Sequence, residues 1–137
     1  MQATENKRSP RQLGVIDGQL APPPKSPNCV STQAEAGDKI HRMEPISYEG
    51  ALEDVLAKLL SVAKAYPRTK LVKQEENYVH FEFRTKLFRF VDDVEFYLDD
   101  DAKLIHFRSA SRIGYGDMGT NRKRMEALRK LYGEAPN

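Results

Sequence analysis

Cysteine is nearly missing from this sequence: Cys29 is the only one in 137 residues. That count excludes an internal disulfide and a cysteine-cluster metal site. Tryptophan is absent, and the other aromatics fall mostly in the strand-like central part, where they read as core packing and not as a platform for bases. An excess of one charge is missing as well. The chain has 22 Lys and Arg against 20 Asp and Glu, a net charge of +2, which argues against a dedicated nucleic-acid binder. No window approaches the roughly 18 apolar residues that a membrane-spanning helix needs. The polar start MQATENKRSPRQLG lacks the apolar region of a signal peptide, so the chain as it stands is expected to be cytoplasmic. His41, His80 and His106 show no metal-ligand spacing, and neither a metal nor a cofactor is expected.

The size suits one domain with a real core. Residues 1–45 are sparse in apolar side chains and hold six of the eight prolines, a composition that cannot form its own core. Residues 1–12 read as a disordered tail. Residues 13–46 read as an extended arm wrapped on a single domain spanning 13–137. Leu13, Val15, Ile16 and Leu20 would anchor it, with a turn at Asp17-Gly18 and polyproline II geometry at Pro22-Pro23-Pro24.

From Ser47 the pattern becomes helical. Leu52, Val55, Leu56, Leu59, Leu60 and Ala63 form one apolar stripe, with Ser47 as expected N-cap, Glu49 near the positive end of the dipole and Pro67 as terminator. Alternation then predicts strands at Thr69 to Glu75, Tyr78 to Thr85, Asp93 to Leu98 and Leu104 to Ser111. Asp99-Asp100-Asp101 reads as a turn. The alternation slips phase between Phe83 and Phe88, so Lys86 to Val91 should contain a turn, loop or bulge. A second helix is expected from about Thr120 to Tyr132, with Met125, Leu128 and Tyr132 as its stripe. The fold class is α+β: a two-layer sandwich of about four antiparallel strands with both helices on one face.

Chemistry concentrates in Leu104 to Met125, LIHFRSASRIGYGDMGTNRKRM. Gly114-x-Gly116-x-x-Gly119 has the local form of a dinucleotide-binding fingerprint, but no second strand follows to complete a βαβ unit. The glycines read better as a sheet-to-helix corner. Arg122, Lys123 and Arg124 stand at the positive end of the last helix, where like charge is unfavourable. Asp117, Asp92, Asp93 or an external anion must compensate. An anion or ligand site would draw on Arg112, Gly114, Gly116, Arg122 and Arg124; internal ion pairing is the blander account. By parity Asp92 falls on the apolar side with Val94 and Phe96, where it needs a cation, and an arginine partner is expected. Asp92, Asp93 and Asp117 are also the candidate catalytic acids. His80, Glu82, Arg84, Asp93, Glu95, His106 and Arg108 would share the other sheet face, as a solvated mixed-charge surface or a polar floor for a ligand. Cys29 has no local feature that activates a thiol, although a histidine could in principle serve as its base.

Three segments carry a resemblance: LAPPPKSPNCVSTQA (Leu20 to Ala34), FRFVDDVEFYL (Phe88 to Leu98) and IHFRSASRIGYGDMGTNRKRME (Ile105 to Glu126). In this order they resemble the domain-of-unknown-function family numbered 1499, over roughly Leu13 to Leu131. The resemblance implies a family found in bacteria and plant plastids, some members having N-terminal hydrophobic or targeting segments, which keeps the cell envelope or plastid open as locations. It implies no activity and supplies no catalytic residues. The family pattern often reads P-C-P-x-S-P-N-C; here Pro23 takes the first cysteine position, so no paired-thiol role is expected.

Two function classes follow. One is a non-catalytic module that binds a small anionic ligand or a protein partner near Arg112 to Arg124. The alternative is an enzyme acting on a phosphate- or carboxylate-bearing small molecule with an Asp acid/base. A third, duller alternative is that the motif only staples arm, sheet and helix together.

Overall fold

Alternating residues in the central stretch build the sheet around which the rest packs. The computed structural model describes residues 8–136. Its elements are β1 (Cys29–Ser31), β2 (Ile46–Ser47), α1 (Leu52–Ala65), β3 (Thr69–Gln74), β4 (Tyr78–Arg84), β5 (Val91–Asp99), β6 (Leu104–Ser111) and α2 (Thr120–Glu134). The antiparallel sheet runs β1-β6-β5-β4-β3, with β2 also pairing β6. It thus has six strands, where about four were expected. The extra two come from the arm and are only three and two residues long, too short to carry an alternation signal.

One sheet face is apolar and carries both helices. Val79, Phe81 and Phe83 of β4, Val94, Phe96 and Leu98 of β5, and Ile105 and Phe107 of β6 meet Val55, Leu56, Leu59, Val62 and Ala63 of α1 and Met125, Leu128 and Tyr132 of α2. The expected stripe of α2 is buried, and that of α1 is buried at Val55, Leu56, Leu59 and Ala63, with Leu52 and Leu60 only partly covered and Val62 joining the core. The start of α1 differs from expectation. Ser47 is not its N-cap but pairs with Leu104, and Tyr48 donates its backbone N–H to the Lys103 carbonyl. These bonds keep the chain extended to Tyr48, and the helix begins only after Gly50, at φ +93°. Glu53 and Asp54, not Glu49, supply negative charge to its first turn.

The phase slip is a hairpin loop: the Thr85 N–H donates to the Phe90 carbonyl, and Arg89 takes a φ of 55°. The aspartate run is the β5–β6 turn, with Asp100 accepting bonds from Tyr48 and Lys103. No helix among the described residues is long and apolar enough to cross a membrane.

The second sheet face is covered as well. Residues 8–28 lie across it, with Leu20 and Ala21 buried. The Gly14 N–H donates to Glu95 Oε2 at 2.7 Å. Arg108 Nη2 donates to the Pro10 and Pro22 carbonyls at 2.6 and 3.1 Å. Of the expected tail, Met1 to Lys7 lie outside the described residues, while Arg8 donates to the carbonyls of Gln12, Leu13, Gly14 and Gln19.

Candidate functional site

The glycine-rich corner is built around Asp117. Gly119, at φ +77°, precedes the first residue of α2, a left-handed conformation that glycine adopts without strain. The Asp117 carboxylate accepts from the backbone N–H of Gly119 and Asn121 and from the Asn121 side-chain amide. It therefore places a negative charge on unpaired donors of a helix whose first turn contains no acid of its own.

The three arginines of the corner each find acceptors within the chain. Arg124 is buried and donates to Asp92 Oδ2 at 2.7 Å, with further bonds to Ser109 and Asn121. Burial pushes the Asp92 carboxyl up, against the pull of Arg124. Arg122 donates to the carbonyls of Ile40 and Arg42, clipping the arm to α2. Arg112 donates through Nε and Nη2 to the two Asp93 oxygens at 2.8 and 2.9 Å, and through Nη2 to Glu82 at 2.6 Å. These hydrogen bonds raise the already high pKa of Arg112. Burial alone would raise the Asp93 carboxyl, but the bonds from Arg112 and His80 prevail and hold it at about 2. His80 Nε2 lies 2.7 Å from Asp93 Oδ1.

The polar sheet face is the larger surprise. Alternation reads it as solvated, yet Glu95 is 0% exposed and Arg108 2%. They are directly opposite in the β5–β6 ladder. The Tyr78 hydroxyl donates to Glu95 Oε2 at 2.6 Å, and burial beside that carboxylate pushes the Tyr78 pKa far up. Arg108 Nη1 stands 3.9 Å from Glu95 Oε1, too far for a hydrogen bond. Glu95 Oε1 and Arg108 Nε are both buried without a hydrogen-bond partner. Such groups are uncommon in native interiors. The signal that could have found them was the arm: its apolar anchors required a surface, and the helix face was already taken.

Two clefts border these groups. The larger, about 520 Å³, is lined by Ser9, Pro10, Arg11, Leu13, Pro24 and Ser26 of the arm and by Asp93, Arg108, Ser111, Arg112 and Gly114 across from them. The smaller, about 320 Å³, holds Gly116, Asp117, Gly119 and Arg122 with Pro27, Val30 and Ile40. The five residues proposed for one anion site are thus dispersed. Arg112 and Gly114 line one cleft, Gly116 and Arg122 the other, and Arg124 lies in the core. Of the candidate acids, Asp92 is tied to Arg124, Asp93 to Arg112 and His80, and Asp117 to the helix cap.

Cys29 is buried, and burial pushes its thiol up to about 11. Each histidine is hydrogen-bonded elsewhere. His41 lies between Asp38 and the Ser26 carbonyl, His80 bonds Asp93, and His106 Nδ1 lies 2.9 Å from the Thr32 hydroxyl. No group of three His, Cys, Asp or Glu side chains suited to a metal ion occurs among the described residues.

Two asparagines went unnoticed in the sequence and join its motifs. Asn28 donates to the carbonyls of Ile113 and Gly114. Asn121 is fully buried; it donates to the Asn28 carbonyl, Ser111 and Asp117, and accepts from Ser109 and Arg124. The arm's PNC segment, the end of β6 and the start of α2 therefore form one hydrogen-bonded unit. No curated protein matches the chain. The family model described as "Protein of unknown function (DUF1499)" matches residues 19–131, a span that holds this whole unit, and the chain belongs to that family.

Proposed function

We propose that this protein is a non-catalytic binding module that takes a small anionic ligand, a carboxylate or phosphate, in the cleft between its N-terminal arm and the sheet. The observation that carries this reading is Arg108: it lines the cleft, it is buried, and its Nε has no hydrogen-bond partner. A buried guanidinium N–H without an acceptor is costly, and a ligand oxygen reaching it as the arm residues over Arg108 shift would relieve that cost with a charge-assisted bond. Arg11 lines the same cleft and adds an exposed positive charge to it, while Arg112 is already paired with Asp93 and Glu82. The arm supplies one wall, so the ligand would also hold arm to sheet. A non-catalytic role is favoured because the three candidate acids are occupied by structural partners and the one thiol is buried and protonated.

Calorimetric titration of the full chain with inorganic phosphate and with short-chain carboxylates tests this. At least one series should bind and raise the melting temperature by linkage. Arg11→Glu, at an exposed position, should weaken binding by about tenfold without changing the unliganded melting temperature, and Arg108→Lys should abolish it. Failure of every anion to bind or to shift melting at millimolar concentration would overturn the reading. So would binding that is unchanged in both variants.

A further inference from the structure

One end of the sheet carries a cluster of exposed apolar side chains, of which Met118 alone lines a cleft, the smaller one. At the tip of the β4–β5 hairpin, Leu87 is 81% and Phe88 68% exposed, with Phe90 half-exposed beside them. Phe88 and Phe90 stack on each other, centroids 5.5 Å apart. The tip is a closed turn: Thr85 N–H donates to the Phe90 carbonyl, Phe90 N–H to the Thr85 hydroxyl and Arg89 N–H to the Thr85 carbonyl. Next to it lies the glycine-rich loop. Arg112 N–H donates to the Val91 carbonyl, which holds the start of that loop beside the base of the hairpin. Ile113, Tyr115 and Met118 of that loop are exposed too, Met118 at 94%.

The unpaired charges of the hairpin tip are all basic. Residues 84–90, RTKLFRF, contain three basic and no acidic side chains. Arg68 joins them through paired bonds with the backbone of Arg84. Glu82 is paired with Arg112, Asp92 with Arg124, Asp93 with His80 and Arg112, and Asp117 is bonded into the helix start, so the nearby carboxylates are engaged. No ion pair among the described residues involves Arg84, Lys86 or Arg89. Large apolar side chains at a protruding tip, interleaved with unneutralised Lys and Arg, match the boundary between acyl chains and anionic headgroups. Lys86 and Arg89 flank Leu87 and Phe88 directly, so the apolar pair can enter acyl chains while the cations stay at headgroup level.

We infer that the Thr85–Phe90 hairpin tip and the Ile113–Met118 loop form a membrane-surface contact, inserting Leu87 and Phe88 among the lipids while Arg84, Lys86, Arg89 and Arg68 meet anionic headgroups. This contact needs no spanning segment and meets the ligand cleft only at Gly114, which belongs to both. The test is co-sedimentation of the full chain with vesicles of equal parts phosphatidylglycerol and phosphatidylcholine, against pure phosphatidylcholine. The chain should sediment with the anionic vesicles only, and should be released at about 1 M salt, where the screening length falls to about 3 Å. Lys86→Glu with Arg89→Glu should lower partitioning by at least about twenty-five-fold, from roughly fivefold per basic residue lost. Leu87→Ser with Phe88→Ser should abolish it, while the urea unfolding midpoint stays at the wild-type value because both side chains are exposed. Absence of sedimentation with anionic vesicles at low salt overturns the inference. Binding that both double variants retain does so as well. So does a dimer on gel filtration that Leu87→Ser with Phe88→Ser dissolves, since the patch would then be a contact between copies of the chain.

Discussion

At the scale of single residues, the buried pair of Asp92 and Arg124 shows best how charge is handled here. Asp92 alternates onto the apolar face, where an unpaired carboxylate would be prohibitively costly. Arg124 meets it at 2.7 Å and also stacks its guanidinium 5.2 Å from the Phe83 ring centre. Such a pair is worth little against an apolar replacement of equal volume, yet breaking it strands a buried charge. Arg124→Met should therefore cost about 3–5 kcal/mol in urea unfolding. The double variant Asp92→Asn with Arg124→Met should recover part of that loss, because no charge is then left unpaired. A double variant no more stable than Arg124→Met alone would mean that Arg124 matters for its contacts with Asn121 and Ser109, not for its charge. The need for an arginine partner was legible from strand parity alone. Which arginine was not, because Arg124 lies 32 residues further along the chain.

At the scale of elements, α2 starts under unusual electrostatics, since Arg122, Lys123 and Arg124 occupy its positive end. Asp117 offsets this by accepting two backbone N–H groups and by bonding Asn121. Asp117→Ala should lower stability by about 1–2 kcal/mol, the range for losing a side-chain cap, as measured by chemical denaturation. Asp117→Asn should fall between the two, because it retains an acceptor but loses the charge. Equal losses in both variants would show that the charge matters and the hydrogen bonds do not. The long elements were legible for plain reasons: α1, α2, β4, β5 and β6 each bury one side, so their periodicity survives in the sequence. The short strands β1 and β2 were not, because their stability comes from pairing with β6. The same pairing carried the chain past Ser47 and displaced the expected cap. The candidate site was legible as residue types and not as a place. Arg112, Arg122 and Arg124 share one segment, but the turn into the helix sends them to a cleft wall, an arm clip and the core.

At the scale of the whole molecule, the arm makes a third layer out of what alternation reads as a solvated face. Period-2 patterning distinguishes polar from apolar faces but cannot tell water from a polar strap, so the burial of Glu95, Arg108 and His80 had no local signature. The layers give the protein two acid-sensitive windows. Burial lowers the pKa of His106, with Arg42 adding to the effect and Asp99 opposing it. A histidine held below its unfolded value of about 6.5 contributes stability that is complete above that pH and is lost as pH falls through the folded value. The second window belongs to Asp93, held at about 2, together with Asp38, whose bonds from His41 outweigh the upward pull of burial. Their contribution is complete above about 4 and disappears as pH falls toward 2. Asp92 runs the other way, because a raised carboxyl favours the fold at low pH. The urea midpoint should therefore decline in a first step below about pH 6.5 and in a second below about pH 4. His106→Asn should flatten only the first step. Asp93→Asn should start from a lower midpoint at pH 7 and show a shallower second step. A midpoint that stays level from pH 7 to 5 in the wild-type chain would remove His106 from this account and leave the carboxylates as the sole source of acid sensitivity.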